Sequence, residues 1–249
     1  MTWVLLRGLM REQRHWGAFL TSFQTAFADE SVITIDFPGN GEQHLLRSAS
    51  SIQAMVEAAR QQVHATGATR DIKVLAISLG AMVAVAWARA HPQEIHGLVL
   101  INTSLAPHNH FYQRLRPQNY PRLLATMLFG TVRQREQLVF DLTCNQCDTH
   151  LASTAVQAWI SYAQQYPISR GNIIRQLIAA MRYHAPQEQP HPSLLLLAGK
   201  GDRLVNPVCS RILAKKWRCT LLMHPLAGHD LPLDDGAWII AQVKHWISE

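Results

Sequence analysis

Three residues with the side chains needed for acyl transfer by a serine occur in the order Ser78, Asp202, His229. A serine becomes a good nucleophile when a histidine accepts its proton and a carboxylate orients that histidine. Ser78 has a small residue two positions away on either side, Ala76 before it and Gly80 after it. This spacing at a strand-to-helix junction is typical of a nucleophile held on a sharp, strained turn. The same pattern also occurs in ordinary loops, so its weight depends on the elements around it.

Two histidines and three aspartates are candidates for the base and its orienting acid. We choose His229 as the base because it follows a glycine in a loop with room for the ring to turn inward. His224 stands at a strand end before a proline, so we interpret it as structural. Asp141, Asp148 and Asp202 all precede His229 in the expected order. Only Asp202 directly follows a buried strand, so it is the predicted acid.

A serine of this kind also needs N–H donors for the oxyanion that forms on the substrate. One predicted donor is the backbone of Leu79, which directly follows the nucleophile. The other is the backbone of Leu9, because Gly8 lets the loop after the first strand approach the site closely.

Apolar segments that alternate with helical patterns indicate how these residues are positioned. The predicted strands are 3–7, 31–36, 74–77, 95–101, 194–198 and 219–223, and the predicted helices among them are 15–28, 51–65 (with Ser51 as its cap), 81–90, 207–217 and 233–248. Apolar strands that alternate with helices predict an α/β fold with a parallel sheet covered on both faces. Ligands of such sheets bind beyond the carboxyl ends of the strands, and every candidate reactive residue lies at such an end.

Residues 105–190 interrupt this alternation, with helical patterns over 122–129, 132–142, 152–164 and 172–183 and no convincing strand. We therefore predict a core formed by 1–104 and 191–249 and a helical cap over the site formed by 105–190. Met10 and the cap residues Met127, Phe129 and Trp159 are candidate lining of a substrate pocket. At helical spacing, packing of the cap on itself explains the cap residues equally well.

The cap is rich in arginine, with Arg114, Arg116, Arg122, Arg133, Arg135, Arg170, Arg175 and Arg182 and no lysine. The simplest interpretation is a solvated face. The alternative is a docking surface for an acidic acyl carrier protein or for a substrate carboxylate or phosphate, since arginine favours bidentate contacts with anions.

Composition limits the class of protein. The 249 residues, 48% hydrophobic and with a formal charge of +6, suit one large α/β domain. No basic run is long enough, or mixed with enough aromatic residues, to indicate nucleic-acid binding. No segment approaches the ~18 apolar residues of a membrane span, and the N-terminus does not have the pattern of a signal peptide. Four cysteines do not form a disulfide framework, so a cytoplasmic location is expected.

Cys144, Cys147 and His150 are spaced like half of a zinc site. Structural zinc requires a fourth ligand and usually a matched second pair, which the sequence lacks. No metal or organic cofactor is therefore expected.

With these motifs in place, the chain resembles the α/β-hydrolase superfamily. The resemblance rests on Arg7-Gly8-Leu9 with Trp16 downstream, Asp36-x-x-Gly39-x-Gly41, Ala76-x-Ser78-x-Gly80, Gly199-x-x-Asp202 and Gly228-His229. It is similar to the lid-bearing group that includes small carboxylesterases, acyl-carrier-protein methyl ester esterases and menaquinone-pathway hydrolases. The chain begins at the strand that an antiparallel hairpin usually precedes in this family, which implies a trimmed sheet of about six parallel strands.

Two positions depart from the family pattern. Arg7 replaces the usual histidine before the oxyanion-loop glycine, and Ala76 replaces the first glycine around the serine. These departures bear on the shape of the oxyanion loop and on packing at the turn, and leave the three predicted catalytic residues intact.

The hypothesis from sequence is a serine hydrolase of carboxylic esters or thioesters. A C–C bond hydrolase or a lyase using the same three residues is the alternative, and an esterase acting on an acyl-carrier-protein-bound substrate is a narrower form of the first. A non-catalytic ligand-binding protein ranks last, because such a protein is expected to have lost one of the three residues. The substrate is not predictable from the motifs, since specificity depends on the cap.

Overall fold

The computed structural model describes residues 1–248 and contains a six-stranded, entirely parallel sheet. Its strands are β1 (Thr2–Leu6), β2 (Ser31–Ile35), β3 (Ile72–Ile77), β4 (Ile95–Ile101), β5 (Leu194–Gly199) and β6 (Thr220–His224), in the spatial order β2-β1-β3-β4-β5-β6. The predicted α/β class, the parallel sheet and the number of strands are confirmed.

Among the described residues, ten α-helices connect or follow these strands. They are α1 (Ala18–Ala26), α2 (Ile52–Ala65), α3 (Leu79–Ala90), α4 (Phe111–Arg114), α5 (Tyr120–Phe129), α6 (Val132–Thr143), α7 (Thr149–Gln165), α8 (Arg170–Arg182), α9 (Val208–Trp217) and α10 (Leu231–Ser248). Ser51 caps α2 as predicted, its hydroxyl accepting the N–H of Ala54. Within residues 1–248, no helix combines the length and the apolar character required to cross a membrane.

Alternate strand residues point to opposite faces of the sheet and build two cores. One core packs Val4, Val74 and Leu196 with residues of α2, α3 and α9. The other packs Leu5 and Leu75 with residues of α1 and α10. Because both faces are covered, the strands contain continuous apolar runs rather than alternating ones.

The strand order places a switch point between β1 and β3. The connections from these two neighbouring strands leave in opposite directions, which opens a crevice beyond their carboxyl ends. The loop that begins at Arg7 and the turn at Ser78 both start at this crevice.

Two predicted helical regions differ from the structure. The single helix expected over 15–28 is a 3₁₀ turn (Gln13–Trp16) followed by α1, because Gly17 adopts a positive φ of 52° between them. The segment between β4 and β5 also contains the short helix α4, which the apolar spacing did not indicate.

Within the same segment, α6 and α7 pack together around Phe140, Val156 and Trp159.

A buried carboxylate joins two helices of the first core to the sheet. Glu94, just before β4, accepts hydrogen bonds from Arg60 of α2 at 2.5 and 3.0 Å and from the indole N–H of Trp87 of α3 at 2.7 Å. Burial opposes ionisation, but the bonds from Arg60 and Trp87 outweigh it and lower the pKa of Glu94 to about 2.

We expect Glu94→Gln to lower the free energy of unfolding by about 2 kcal/mol at neutral pH. The folded-state pKa lies below the usual 4.5, so the stabilisation is complete above that value and is lost as the pH falls towards 2. Urea unfolding across this range should therefore show the variant and wild type converging in acid. Glu57→Gln, which removes the exposed partner of the same Arg60, is the control and should cost less than about 0.5 kcal/mol. A difference between Glu94→Gln and wild type that persists unchanged to pH 2 would contradict the assignment.

Candidate active site

Ser78 occupies a strained turn between β3 and α3. Its backbone has φ 56° and ψ −114°, a conformation unfavourable for a residue with a side chain. Gly80 makes the turn possible, since a Cβ at that position would collide with the carbonyl oxygens of Leu6 and Arg7. Ala76 lies within β3, in register between Leu6 and Leu100, where its methyl group is fully buried in the core. The departure at Ala76 is therefore accommodated by packing.

The loop after β1 runs directly beside this serine. A Cβ on Gly8 would stand 3.3 Å from the Cβ of Ser78, so the backbone that continues into Leu9 passes close to the hydroxyl-bearing side chain. Leu79 is the first residue of α3, and the N–H of a first helical residue has no partner within its helix. The two predicted donor residues thus flank Ser78.

His229 and Asp202 form a buried pair. The Nδ1 of His229 is 2.7 Å from one carboxylate oxygen of Asp202, and the two residues are 5% and 2% exposed. The other carboxylate oxygen accepts the N–H groups of Leu204 and Val205, both at 2.8 Å. These bonds hold the carboxylate in one orientation, so the imidazole is held with its Nε2 free for other chemistry.

The rejected candidates lie in other environments. The Nδ1 of His224 accepts the N–H groups of Leu226 and Ala227, and its Nε2 faces Asp235 at 3.2 Å. Asp148 caps α7, and Asp141 accepts a bond from a neighbouring side chain on the surface of α6. The hydrogen bonds of His224 therefore stabilise the conformation of its own loop.

Asn102, which the sequence analysis passed over, joins the loops that contain Asp202 and His229. Its side-chain N–H donates to the carbonyls of Gly228 and His229 at 3.0 and 2.8 Å, and its oxygen accepts the N–H of Gly199 at 2.9 Å. Asn102 is buried at the end of β4 with a positive φ of 47°. The sequence feature that could have identified Asn102 is its position as a polar residue immediately after a buried strand.

Arg7 forms a bidentate ion pair with Asp230. Its guanidinium donates to the two carboxylate oxygens at 3.1 and 2.6 Å, the two side chains are almost fully buried, and the guanidinium lies 4.8 Å from the centre of the Trp16 ring. Arg7 precedes Gly8, and Asp230 follows His229. The arginine that departs from the family pattern therefore connects the loop beside Ser78 to the loop of His229.

Gln176 of α8 also holds the loop that follows β1. Its oxygen accepts the N–H of Met10 at 3.1 Å, and its N–H donates to Asn40 at 2.7 Å and to Ser48 at 3.1 Å. Asn40 in turn donates to the carbonyl of Arg11. Gln176 is fully buried, and Met10 has a φ of 61°, so this network stabilises an unfavourable backbone conformation directly after Leu9.

A second buried ion pair joins the loop to α6. Arg11 donates to Glu136 at 2.5 Å and to the Nε2 of His15 at 3.0 Å, and lies over the ring of Trp159 at 4.3 Å. Burial, together with the positive charges of Arg11 and Arg7, holds the pKa of His15 well below its usual range. The neutral imidazole can accordingly accept the bond from Arg11.

A cavity of about 940 Å³ lies above Ser78 and His229, walled mainly by apolar side chains of α5, α6 and α8. Met10 and Met127, two of the candidate residues for a substrate pocket, line this cavity. Phe129 and Trp159 do not. Phe129 is 86% exposed at the end of α5, while Trp159 is buried between α6 and α7 against Arg11. Spacing along a helix indicates which residues share a face, but it does not indicate which part of the protein that face contacts.

The Cys144, Cys147 and His150 spacing does not form a cluster in the folded chain. Cys144 is buried, with the pKa of its thiol raised by burial and by the hydrogen bond to Cys147, whereas His150 is exposed. Among residues 1–248, no three His, Cys, Asp or Glu side chains are grouped as metal ligands would be.

Known proteins resemble the chain in sequence pattern and in fold. A model of the alpha/beta hydrolase family matches residues 3–242, and no curated protein matches the chain. An esterase from Thermogutta terrifontis superposes with a TM-score of 0.75 at 18% identity, covering 100% of this chain and 89% of its own. A 2-hydroxy-6-oxo-6-phenylhexa-2,4-dienoate hydrolase from Rhodococcus gives 0.77 at 18% identity, covering 100% and 90%. A hydrolase from Pseudomonas aeruginosa gives 0.75 at 18%, again covering 100% and 90%. At these identities the likeness is one of fold.

We expect Gln176→Leu to lower kcat for hydrolysis of a small test substrate by about 10- to 100-fold with little change in KM. The substitution removes the bonds that hold Met10 and Asn40 but leaves the cavity wall intact, so it should disturb the loop beside Ser78 more than substrate binding.

Asn172→Leu is the matched control. Asn172 is buried one turn earlier on α8 and bonds to Ser48 and Leu46 without contacting the loop of residues 8–11. It should lower the thermal stability to a similar extent and preserve kcat. An equal loss of kcat in both variants would show that Gln176 acts only through the docking of α8.

Proposed function

The chain belongs to the alpha/beta hydrolase family, and from that premise we propose that it is a serine hydrolase that cleaves carboxylic esters or thioesters through an acyl-enzyme on Ser78. One observation carries the proposal. His229, which is buried with its Nδ1 2.7 Å from the carboxylate of Asp202, lines the same cavity as the strained turn of Ser78.

In the first half of the proposed reaction, the hydroxyl oxygen of Ser78 attacks the carbonyl carbon of the substrate. The Nε2 of His229 accepts the hydroxyl proton as the new C–O bond forms. The backbone N–H groups of Leu9 and Leu79 donate to the oxygen that becomes negatively charged. The bond to the leaving alcohol or thiol then breaks, and His229 transfers its proton to that leaving group.

In the second half, water attacks the ester formed on Ser78. His229 accepts a proton from the water and later returns one to the oxygen of Ser78, which restores the free enzyme and releases the acid. Asp202 accepts the Nδ1–H of His229 throughout, which maintains the tautomer and stabilises the imidazolium. Every role in this scheme is filled by a group of the chain itself.

The mainly apolar wall of the cavity favours an apolar group on at least one side of the scissile bond. In this proposal, residues 105–190 act as the cap that determines which group is accepted. An ester carried by an acidic acyl carrier protein is the narrower form of the proposal that the cap arginines support by their charge alone.

We expect a fluorophosphonate probe to label the native protein covalently and to leave Ser78→Ala unlabelled, because the probe reacts with a serine activated by a neighbouring base. Intact mass spectrometry measures the adduct. Ser104→Ala, which removes another buried serine near the end of a strand, should be labelled normally. A native protein that remains unlabelled would favour a non-catalytic binding role.

Substrate series should distinguish ester cleavage from the C–C bond hydrolysis or lyase chemistry that the same three residues can support. We expect turnover of p-nitrophenyl esters to rise with acyl length until the chain fills the cavity, and vinylogous diketones to remain uncleaved. Faster cleavage of the diketones than of any ester would assign the site to C–C hydrolysis instead.

A further inference from the structure

An unusual group of exposed apolar side chains lies on α5 and α8. We call the following six residues the mouth patch: Leu124, Leu128 and Phe129 of α5, and Ile174, Leu177 and Met181 of α8. Their exposed fractions range from 39% for Leu177 to 86% for Phe129. Single exposed apolar residues are ordinary on protein surfaces, but a contiguous set indicates a surface that binds something.

The mouth patch is continuous with the entrance of the cavity above Ser78. Leu124, Leu128, Ile174 and Leu177 are exposed to solvent and also line that cavity. On α8, the spacing of positions 174, 177 and 181 places them on one face of the helix. A side chain at the start of α8, Arg170, donates to the carbonyl of Leu128 at 3.2 Å, so the two helices are neighbours at the mouth.

Positive charge surrounds this apolar surface. Residues 105–190 contain eight arginines, no lysine and only four acidic residues. Neither α5 nor α8 contains an acidic residue, whereas α8 begins and ends with the exposed arginines Arg170 and Arg182. The two acids along the cavity wall, Glu136 and Asp230, are already paired with Arg11 and Arg7.

We propose that the mouth patch docks on the surface of an anionic lipid assembly, with the apolar side chains among the acyl chains and the arginines at the headgroups. Apolar side chains flanked by cations are the combination that such an interface binds, because burial of apolar area and attraction to anionic headgroups add together. Docking this way would place the apolar cavity mouth against the lipid, so an amphiphilic ester could enter without crossing water. The proposal rests on the proposed ester hydrolysis only for the identity of that substrate.

Two other occupants fit the surface less well. An acidic carrier protein would pair with the arginines but would bring carboxylates against Phe129 and Met181, where they would lose water without gaining a partner. A second copy of the chain in a twofold dimer would place two arginine-rich faces against each other. The lipid surface satisfies the charge and the apolar area together.

The test uses the full chain with Ser78→Ala, so that no lipid is consumed, and sedimentation with vesicles. The vesicles contain either phosphatidylcholine alone or an equimolar mixture with phosphatidylglycerol. We expect binding to the mixed vesicles and much weaker binding to phosphatidylcholine. The pair Phe129→Ser and Met181→Ser should weaken binding about tenfold or more. The pair Arg170→Gln and Arg182→Gln should weaken binding to the mixed vesicles about 30-fold.

Matched controls come from the opposite end of the molecule. Ile247 is 41% exposed near the end of α10, where Trp246 approaches Gly97 near the start of β4. Lys215 and Lys216 are exposed in the last turn of α9, which leads to the start of β6. Ile247→Ser removes exposed apolar area from this end, and the pair Lys215→Gln with Lys216→Gln removes two positive charges, the same number as the arginine pair. Both control variants should leave vesicle binding unchanged.

Several results would overturn the proposal. The first is absence of binding to the mixed vesicles, and the second is an equal loss of vesicle binding in the control variants. The third is a dimer, detected by sedimentation velocity, that buries the mouth patch. Saturable binding of an acidic acyl carrier protein that depends on Arg170 and Arg182, without vesicle binding, would assign the surface to that protein instead.

The test of lipid docking and the test of the hydrolase proposal can fail independently of each other. Vesicle binding by the Ser78→Ala chain does not depend on catalysis, whereas probe labelling of the native chain does not depend on lipid. In the active chain, Phe129→Ser with Met181→Ser should leave turnover of a dispersed short ester unchanged, because neither residue lines the cavity. The same pair should lower turnover of an ester embedded in mixed vesicles by about tenfold or more.

Discussion

The arrangement of the site depends on the buried ion pair between Arg7 and Asp230. It joins the residue before Gly8 to the residue after His229, and so sets the distance between the backbone beside Ser78 and the proposed base. Removing one partner of such a pair leaves an unpaired charge in the interior, a cost of about 3–5 kcal/mol. The pair is therefore retained as a unit, and the two loops cannot move independently without separating these charges.

Other contacts hold the same loop from different directions. Gln176 reaches Met10 from α8, and Arg11 reaches Glu136 on α6, so two helices that wall the cavity also determine the backbone beside Ser78. Asn102 plays the equivalent part on the sheet side, between the loops of Asp202 and His229. In the proposed reaction, substrate selection and the geometry of the chemistry are consequently coupled, since a shift of α6 or α8 would change both.

Charge is distributed unevenly over the fold. The helices between β4 and β5 contain most of the excess positive charge of the chain, while their acids are few and Glu136 is used internally. The apolar side chains at the cavity mouth thus lie in a part of the chain that contains an excess of positive charge. The opposite end, where α9 and α10 finish, provides the comparison, because its exposed side chains do not line the cavity above Ser78.

The sequence by itself determined the six strands and their parallel arrangement, because apolar runs and turn residues are local properties. It also identified Ser78, Asp202 and His229 as candidates, because the carboxyl ends of parallel strands meet at one edge of the sheet. It did not indicate the partner of Arg7, which is 223 positions away, or the bonds made by Asn102 and Gln176. It left open whether Phe129 and Trp159 line a pocket or pack within the helices, because spacing along a helix shows which residues share a face but not what that face contacts. Only the tertiary structure decided these points, since long-range polar contacts and the docking of helices follow from packing in three dimensions rather than from local pattern.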